Sequence, residues 1–392
     1  MEVKPGYKQT EVGVIPEEWG VSPFQEVTEI ITCGLAATPT YVPESVGKPF
    51  LSAQNVRKGH VVLDNHRFIS IELFEQITRH NKPKRGDLLY TRVGAGIGEA
   101  GIVESDIEFG IYVSLTLIRT DSRRLHSGFA AHLLNSNSYQ ARAKGGQFAG
   151  GGVQNLNVEV VRKFPIPLPS PEEQRAIATA LSDMDGLLGG LDRLIAKKRD
   201  LKQAAMQQLL TGQTRLPGFH DDWEVRRLGD VLTVRHGKSQ HGITAPDGKY
   251  PILASGGEIG RTDSYIYDKP SVLIGRKGTI DSPQYVDIPF WTVDTLFFTE
   301  ISREADAKFV FYKFTMIRWR SYNEASGVPS LNAKTIENIE VTIPPLPEQR
   351  AIAEVLTEMD GELAVLEQRR EKTRALKQAM MQELLTGRIR LV

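Results

Sequence analysis

One long segment of this 392-residue chain occurs twice. The segment from Glu173 to Leu216 reads EQRAIATALSDMDGLLGGLDRLIAKKRDLKQAAMQQLLTGQTRL, and the segment from Glu348 to Leu391 reads EQRAIAEVLTEMDGELAVLEQRREKTRALKQAMMQELLTGRIRL. They align without a gap, and about 26 of 44 positions are identical, which is far above chance for a repeat of this length. Any fold of this chain must therefore accommodate two copies of one element.

Each copy is predicted to form one long α-helix. Apolar residues recur in alternating steps of four and three, which is the a/d spacing of a coiled coil. A single apolar stripe of this length is not stable in water, but two copies in one chain can bury their stripes against each other in an antiparallel pair. The predicted interface consists of Ile177, Leu181, Met184, Leu188, Leu191 and Ile195 in the first helix, and of Ile352, Leu356, Met359, Leu363 and Leu366 in the second.

Residues typical of helix ends mark both limits of the repeat. Ser170, Pro171 and Glu173 fit an N-cap, a first helical turn and a capping box. Gly212 and Gly387 each follow Leu-Leu-Thr, where a glycine commonly ends a helix. About 40 residues at 1.5 Å per residue predict a helix about 60 Å long.

Two further features of the helices concern outside partners. Leu187, Leu194 and Leu201 recur one heptad apart and form a second, partly free stripe, which favours packing of helices from another chain. Gly186 and Gly361 occupy equivalent mid-helix positions, where each costs about 1 kcal/mol relative to alanine. Two interpretations of these glycines stay open: close approach of a partner, or a local bend.

The globular segments repeat more faintly. Each opens on a tryptophan after an acidic pair, Trp19 or Trp223, which we interpret as a core anchor. Each contains a hydrophobic strand that leads into a basic residue and a glycine turn, at Arg92 and at Arg276. Short β runs punctuated by Gly and Pro, with a few short helices, predict a mixed domain of strands and helices.

The predicted fold class is therefore α/β (mixed α+β), with two globular domains that alternate with two long helices. The helices form an antiparallel intramolecular coiled coil, and the halves are related by a pseudo-two-fold axis. The predicted boundaries are residues 1–169 for the first domain, 170–212 for the first helix, 213–346 for the second domain and 347–392 for the second helix.

Composition excludes several classes of protein. Cys33 is the only cysteine, so neither an intramolecular disulfide nor a cysteine zinc cluster can form. No apolar run reaches the roughly 18–20 residues of a membrane span, and the N-terminus lacks the layout of a signal peptide. We therefore expect a cytoplasmic protein. The 48 basic residues balance 48 acidic ones, so net charge decides nothing about nucleic-acid binding.

Four motifs occur in a fixed order along the chain. They are YKQTEVGVIP from Tyr7 with Trp19 after it, LLTGQTRLPGF from Leu209 with Trp223 after it, PEQR from Pro347, and LLTGR ending at Arg388. Together with the duplicated helices, this order resembles the specificity subunits of type I restriction–modification systems over nearly the whole chain. The order and duplication of the motifs carry the resemblance.

The resemblance implies two target-recognition domains, each of which reads one half of an asymmetric, two-part DNA sequence. The paired helices would set the gap between the halves. The implied partners are double-stranded DNA, two methyltransferase subunits docked on the helices and domains, and restriction (translocase) subunits held through the complex. The chain itself would have no catalytic residue and no cofactor, with S-adenosylmethionine, ATP and Mg²⁺ on partner subunits only.

The residues favour the same function without the resemblance. Two related domains on a rigid spacer can contact two DNA sites at a fixed separation. Because the domains differ inside a repeated frame, their targets are expected to differ. Base reading calls for Arg or Lys on guanine and Asn or Gln on adenine, and glycine turns offer amides to phosphates. The predicted DNA contacts are Gln54, Asn55, Arg57, Lys58, Arg92, Arg142, Lys144, Gln147, Gln154 and Asn155 in the first domain, and Arg235, His236, Lys238, Gln240, Arg276, Lys277, Ser330 and Asn332 in the second.

Enzyme and scaffold functions are the alternatives. Gly96-Ile-Gly98-Glu-Ala-Gly101 matches a dinucleotide-binding pattern, but the residues after it do not predict a helix, so the phosphate-binding context is missing. His236 and His241 have no further ligand cluster nearby, so no metal site is expected. The main alternative is a coiled-coil protein-interaction scaffold without DNA specificity.

Overall fold

The computed structural model of the protein describes residues 4–150 and 153–391, without the side chains of residues 147–150 and 153. The chain divides into two compact units, Met1–Leu191 with Arg369–Val392, and Asp192–Gln368. Each unit therefore combines one globular domain with half of each long helix. In the described part of the chain, no helix has an apolar stretch long enough to cross a lipid bilayer.

In its described residues, the first unit contains short strands, four short α-helices, the start of the first long helix and the end of the second. Its strands are β1 (Tyr7–Thr10), β2 (Gly13–Pro16), β3 (Gly20–Pro23), β4 (Thr28–Cys33), β5 (Gly47–Leu51), β6 (Val56–Arg57), β7 (His60–Val61), β8 (Arg67–Ser70), β9 (Leu88–Thr91), β10 (Ala100–Ile102), β11 (Gly110–Ile111), β12 (Leu115–Thr120), β13 (Gln147–Gly150), β14 (Val153–Leu156) and β15 (Pro165–Leu168). Its helices are α1 (Ile71–Thr78), α2 (Ser127–Leu134), α3 (Asn137–Gly145), α4 (Val158–Arg162) and α5 (Pro171–Leu209), of which α5 continues into the second unit.

The main sheet of the first unit has the strand order β4-β12-β9-β10-β7-β6, and a smaller sheet has the order β11-β5-β8. The central strand β9 is buried along its whole length, as its apolar sequence Leu-Leu-Tyr-Thr requires. Helix α2 is buried almost throughout and packs in the core with the start of α5. Trp19 is 1% exposed in the same core, so this tryptophan is a core anchor, as predicted.

The second unit repeats this architecture with fewer strands. Its strands are β16 (Glu224–Arg227), β17 (Leu232–His236), β18 (Tyr250–Ala254), β19 (Gly257–Thr262), β20 (Ser271–Gly275), β21 (Gln284–Val286), β22 (Trp291–Thr292), β23 (Leu296–Ile301) and β24 (Glu340–Ile343). Its helices are α6 (Leu228–Val231), α7 (Ala307–Met316), α8 (Ala333–Glu337) and α9 (Leu346–Leu384), of which α9 continues into the first unit.

The sheet orders show that the two domains share one topology. The main sheet of the second domain runs β17-β23-β20-β21 and matches β4-β12-β9-β10 of the first, and β22-β18-β19 matches β11-β5-β8. In each domain, the strand that follows Trp19 or Trp223 also pairs antiparallel with the strand that precedes the next long helix, β3 with β15 and β16 with β24. The faint sequence repeat of the globular segments therefore reflects one fold used twice.

The long helices pair antiparallel within each unit. In the first unit, Lys377 of α9 forms an ion pair with Asp185 of α5. In the second unit, Lys198 of α5 pairs with Glu362 of α9 at 2.5 Å. The predicted pairing of two long helices is confirmed, and the fold is the predicted mixture of strands and helices. Gly212 and Gly387 have φ of 72° and 68°, so both end their helices in the left-handed conformation, as predicted.

Candidate nucleic-acid interface

A buried carboxylate joins the start of α5 to the first domain and to the C-terminal tail. The side chain of Glu173 is fully buried and accepts a hydrogen bond from Trp19 Nε1 at 3.0 Å. Arg390 forms a two-pronged ion pair with the same carboxylate, with its Nη2 2.8 Å from Oε2, and this hydrogen bonding raises the pKa of Arg390. The pairing compensates a buried charge that would otherwise strongly destabilise the fold.

The second unit contains the same arrangement. Glu348 at the start of α9 is 1% exposed and accepts a hydrogen bond from Trp223 Nε1 at 3.1 Å. Arg215, in the connection after α5, donates two hydrogen bonds of 2.6 Å to its carboxylate. The repeated acidic residue therefore anchors each long helix to its globular domain.

The glutamine that follows each of these glutamates completes the anchor. The side-chain amide of Gln174 donates to the carbonyls of Pro169 and Arg124, both at 3.0 Å, and its oxygen accepts from the backbone N–H of His126. Gln349 makes the equivalent bonds in the second unit, to the carbonyls of Pro344 and Glu304 and from the N–H of Asp306. The Glu-Gln pair of each repeat thus ties helix to domain.

The predicted capping box at the start of α5 is half right. The hydroxyl of Ser170 accepts a hydrogen bond from the backbone N–H of Glu173 at 3.2 Å, as an N-cap does. The carboxylate of Glu173 does not return to Ser170, because Trp19 and Arg390 occupy it. Tertiary contacts have taken the place of the local bond.

Arg92, one of the predicted DNA contacts, is 8% exposed. Its Nε donates to the carbonyl of Leu156 at 2.9 Å, its Nη1 to the carbonyl of Val113 at 3.1 Å, and its Nη2 to the side-chain oxygen of Asn155 at 2.9 Å. These bonds fasten the glycine turn to the β13–β14 hairpin. DNA contact by Arg92 and Asn155 stays a prediction, and the structure gives both side chains a role inside the domain.

Arg276 lies at the equivalent turn and is more accessible. Its Nη1 donates to the carbonyl of Asp294 at 3.1 Å, and the side chain is half-buried. The backbone around it repeats that around Arg92, because Arg276 N donates to Thr295 O and Leu331 N donates to Arg276 O. The basic residue shared by the two turns is therefore part of the common frame.

Of the four predicted contacts among residues 54–58, one is buried and three are exposed. Asn55 is fully buried, donates to two backbone carbonyls and accepts from Ser52 N, so it fastens the loop. Gln54, Arg57 and Lys58 are exposed. Arg57 donates to the carbonyl of Gln54 at 2.6 Å and forms an ion pair with Asp64 at 3.4 Å.

The predicted contacts near α3 lie on the surface of the first domain. Arg142 is half-buried and donates to the carbonyl of Glu11, whereas Lys144 and Gln154 are exposed. The side chain of Gln147 and the glycine loop at 151–152 lie outside the described part of the chain.

In the second domain, most of the predicted contacts lie along one end of the main sheet. Lys238 and Lys277 are exposed, Gln240 and Ser330 are half-buried, and Lys277 forms an isolated β-bridge with Ser330. Asn332 is the N-cap of α8, with its side chain accepting a backbone N–H, so its predicted role as a base reader competes with a structural one.

The two predicted contacts on strand β17 already have partners. Arg235 forms an ion pair with Glu300 at 2.9 Å, and the hydrogen bond to this carboxylate raises the pKa of Arg235. The ring of His236 lies edge-on to Phe297, with ring centroids 4.9 Å apart. Both side chains are nevertheless exposed.

The predicted coiled-coil residues are buried to different degrees. Ile177 and Leu181 pack in the core of the first domain. Ile352 and Leu356 pack in the cluster where the second domain meets the long helices. Also buried are Leu191, Ile195 and Leu363, and half-buried are Met184, Leu188, Met359 and Leu366. Both end clusters also contain residues of the paired helix, Leu384 in the first and Met206 in the second, so each end of the stripe serves helix pairing as well as domain docking.

Neither the dinucleotide-binding pattern nor a metal site finds support in the described residues. Gly96–Gly101 leads into strand β10 instead of a helix, so no helix N-terminus faces a phosphate there. Among the described residues, no group of three or more His, Cys, Asp or Glu side chains is arranged to hold a metal ion.

Sequence reasoning missed the segment that follows Gly34, whereas the equivalent segment after Gly237 contains two of the predicted contacts, Lys238 and Gln240. An added Cβ at either glycine would clash with backbone oxygens at about 2 Å, so the fold shared by the two domains requires glycine at both positions. The signal was present in the sequence as a strand ending in glycine in each repeat, Cys33-Gly34 and His236-Gly237.

Comparison with known proteins agrees with this architecture. A sequence model of the family described as the type I restriction modification DNA specificity domain matches residues 16–195 and 220–374. The type I restriction enzyme MjaVIII specificity subunit of Methanocaldococcus jannaschii is 24% identical over 420 residues, which cover 96% of this chain and 94% of that protein.

Solved structures share the fold. The S subunit of a type I restriction–modification system from M. genitalium superimposes with a TM-score of 0.65 at 18% identity, covering 94% of this chain and 96% of that one. A chain from a structural study of complex assembly in the type I restriction–modification system gives a TM-score of 0.59 at 18% identity, covering 96% and 99%.

Two helix-anchored domains of one topology, each overlapping one matched segment, define a protein with duplicated DNA-recognition domains. The chain belongs to the type I restriction–modification DNA specificity family.

Proposed function

We propose that each domain reads one half of an asymmetric, two-part DNA sequence, and that the helix pair sets the spacer between the halves. The observation that carries this proposal is the repetition of one domain frame with different surface residues. A symmetric pair of identical domains would read a palindrome, whereas diverged domains in one chain read two different half-sites.

The helix pair is also proposed to dock two methyltransferase subunits. Apolar side chains stay exposed on α5 beside its buried coiled-coil stripe. Leu187 is 41%, Leu194 41% and Leu201 49% exposed. Residues one heptad apart lie on one face of a helix, so these leucines form a stripe that a further helix can cover.

The chain is proposed to have no catalytic activity and no cofactor of its own. Methyl transfer from S-adenosylmethionine and ATP- and Mg²⁺-dependent cleavage are assigned to the methyltransferase and restriction subunits. The side chains of the chain would supply sequence reading and assembly.

Reconstitution tests this proposal. The chain, purified methyltransferase subunits, S-adenosylmethionine and DNA are expected to give adenine methylation together, and no methylation when the methyltransferase is left out. Methyl transfer by the chain alone would refute the non-catalytic assignment.

The salt dependence of DNA affinity distinguishes the proposed function from the scaffold alternative. If the domains bind DNA, the affinity of the assembled complex should fall steeply as ionic strength rises, because cationic side chains release counterions from phosphates. A protein-interaction scaffold would give a DNA affinity that is weak at every salt concentration and the same with or without this chain.

A further inference from the structure

In both domains, the edge strand of the main sheet ends in a glycine pressed against another strand. A Cβ added to Gly34 would lie 2.1 Å from the carbonyl oxygen of Ile111, and one added to Gly237 would lie 2.0 Å from that of Val293. These distances leave no room for a side chain, so close backbone approach requires glycine at both places.

The residue after each glycine occupies the same position in the two domains. The backbone N–H of Leu35 donates to the carbonyl of Ile111 at 2.9 Å, and that of Lys238 donates to the carbonyl of Thr292 at 2.8 Å. Ile111 and Thr292 each end the short strand that runs parallel to β5 or β18. The segments that begin at Leu35 and Lys238 therefore start at equivalent positions of the two domains.

Beyond this point the chemistry of the two segments differs. The first domain continues Leu35-Ala-Ala-Thr38, in which both alanines and the threonine are exposed. The second continues Lys238-Ser-Gln-His241, in which the lysine, serine and histidine are exposed and the glutamine is half-buried. One segment presents methyl groups, and the other presents a cation and an amide.

The second segment lies at a cationic end of its sheet. The last residue of β17 pairs with Phe297 and the last residue of β20 pairs with Leu296, so the segments after both strands flank the start of β23. Trp291 Nε1 donates to the carbonyl of Lys238 at 2.9 Å and fixes the backbone there. Within the described part of the chain, neither Lys238 nor Lys277 forms an ion pair, so both charges are available to a ligand.

We propose that these two segments are base-reading elements with different base preferences. Residues 35–38 contact thymine methyl groups in one half-site, and residues 238–241 read guanine in the other through Lys238. Apolar side chains recognise the thymine C5-methyl group, and lysine recognises guanine O6 and N7 in the major groove. This inference rests on the proposed function and adds a base chemistry to each half-site.

The first test compares Lys238→Ala with Lys269→Ala in the complex with methyltransferase subunits. Both substitutions remove one exposed lysine from the second domain, but Lys269 precedes β20 and so lies away from the end where Lys238 lies. On DNAs altered one base pair at a time, Lys238→Ala should weaken discrimination at one G·C pair of one half-site by about 5- to 150-fold. Lys269→Ala should leave every position unchanged. Unchanged discrimination in Lys238→Ala would overturn the assignment of this segment.

The second test replaces thymine by deoxyuridine in each half-site in turn, which removes the methyl group and leaves base pairing intact. Deoxyuridine in the half-site of the first domain should weaken binding about fourfold per contacted methyl, and exchange of Ala36, Ala37 and Thr38 for Ser, Gln and His should abolish this sensitivity. Equal binding of thymine and deoxyuridine there would overturn the inference.

The two tests separate this inference from the proposed function. If the wild-type complex reads no two-part sequence, the proposed function fails. If it reads one, but neither substitution alters any position, only the inference about these segments fails. The unaltered half-site serves in each case as the control for folding and assembly.

Discussion

Arg92 and Arg276 occupy equivalent turns, but burial separates what the two side chains do. The guanidinium of Arg92 makes three hydrogen bonds inside the domain, whereas that of Arg276 makes one and is partly exposed. Buried hydrogen bonds to a charged group contribute about 1.5–3 kcal/mol each, and their loss leaves carbonyls unsatisfied.

We therefore predict that Arg92→Ala lowers the free energy of unfolding by about 2–4 kcal/mol, and Arg276→Ala by about 1 kcal/mol or less. Urea unfolding of the two variants beside the wild type measures both values. Equal, small losses for the two variants would contradict the internal role of Arg92.

A buried histidine at the contact of the first domain with the helix pair makes stability depend on pH. The Nε2 of His132 lies 3.2 Å from the hydroxyl of Ser182, and its Nδ1 lies 4.0 Å from the carboxylate of Asp185, which also pairs with Lys377. Burial, and then the charge of Lys377, lower the pKa of His132 to about 4, although Asp185 and a backbone hydrogen bond at Ala178 oppose the shift; His60 adds to it.

Between about pH 4 and the ordinary histidine pKa of 6.5, the unfolded chain binds a proton at this site that the folded chain does not. The stability contributed by neutral His132 is therefore full above pH 6.5 and is lost as pH falls toward 4, by up to about 3 kcal/mol. Between pH 7 and pH 4.5, the melting temperature should fall less for His132→Gln than for the wild type. For His80→Gln, which alters an exposed histidine, it should fall as much as for the wild type. Equal drops in all three proteins would contradict this account.

The sequence predicted side chains well where the deciding contact is local, and poorly where it is distant. Ser170 was identified as a cap because its partner is three residues away. For Arg92, nothing near it in sequence reveals that Asn155 and Leu156 accept its hydrogen bonds, and its contact with DNA stays a prediction. A basic residue after a strand looks the same whether it faces DNA or a carbonyl.

Apolar spacing predicted the existence and the limits of the long helices better than those of any other element. Helix α5 begins at Pro171, as its cap residues indicate, and α9 begins at Leu346, one residue before the predicted boundary. Periodicity could not show that Ile177 and Leu181 would pack into a domain core, because a stripe gives the buried face of a helix but not the element that covers it.

The mid-helix glycines give a prediction for the helix pair. Gly186 and Gly361 are exposed, and an added Cβ at either would meet no other described atom within 4 Å. Gly186→Ala and Gly361→Ala should therefore each raise the free energy of unfolding by about 0.5–1 kcal/mol, because alanine has the higher helix propensity and narrows the unfolded ensemble.

Chemical unfolding measures this gain, and binding of methyltransferase subunits separates the two interpretations of the glycines. A stabilised variant that loses methyltransferase binding identifies a site of close approach by a partner. A stabilised variant that binds normally excludes that interpretation. A loss of stability would contradict the regular, open helix seen at both positions.

In the molecule as a whole, the duplication predicted the architecture, because two similar segments must bury similar apolar surfaces. Two like helices and two like domains required two like anchors, which the structure supplies in Glu173 with Trp19 and in Glu348 with Trp223. The repeat predicts less about the parts in which the two copies have diverged, such as the segments after Gly34 and Gly237, because each of them occurs only once in the chain.

Mapping of the adenines methylated by the complex of this chain with methyltransferase subunits tests the two-reader account most directly. The account predicts two short, different sequences separated by a fixed stretch of any sequence. Adding seven residues to each long helix should lengthen that stretch by about 10 Å, or about three base pairs, and leave both sequences unchanged. A palindromic or continuous sequence, or a spacer that does not change with helix length, would contradict it.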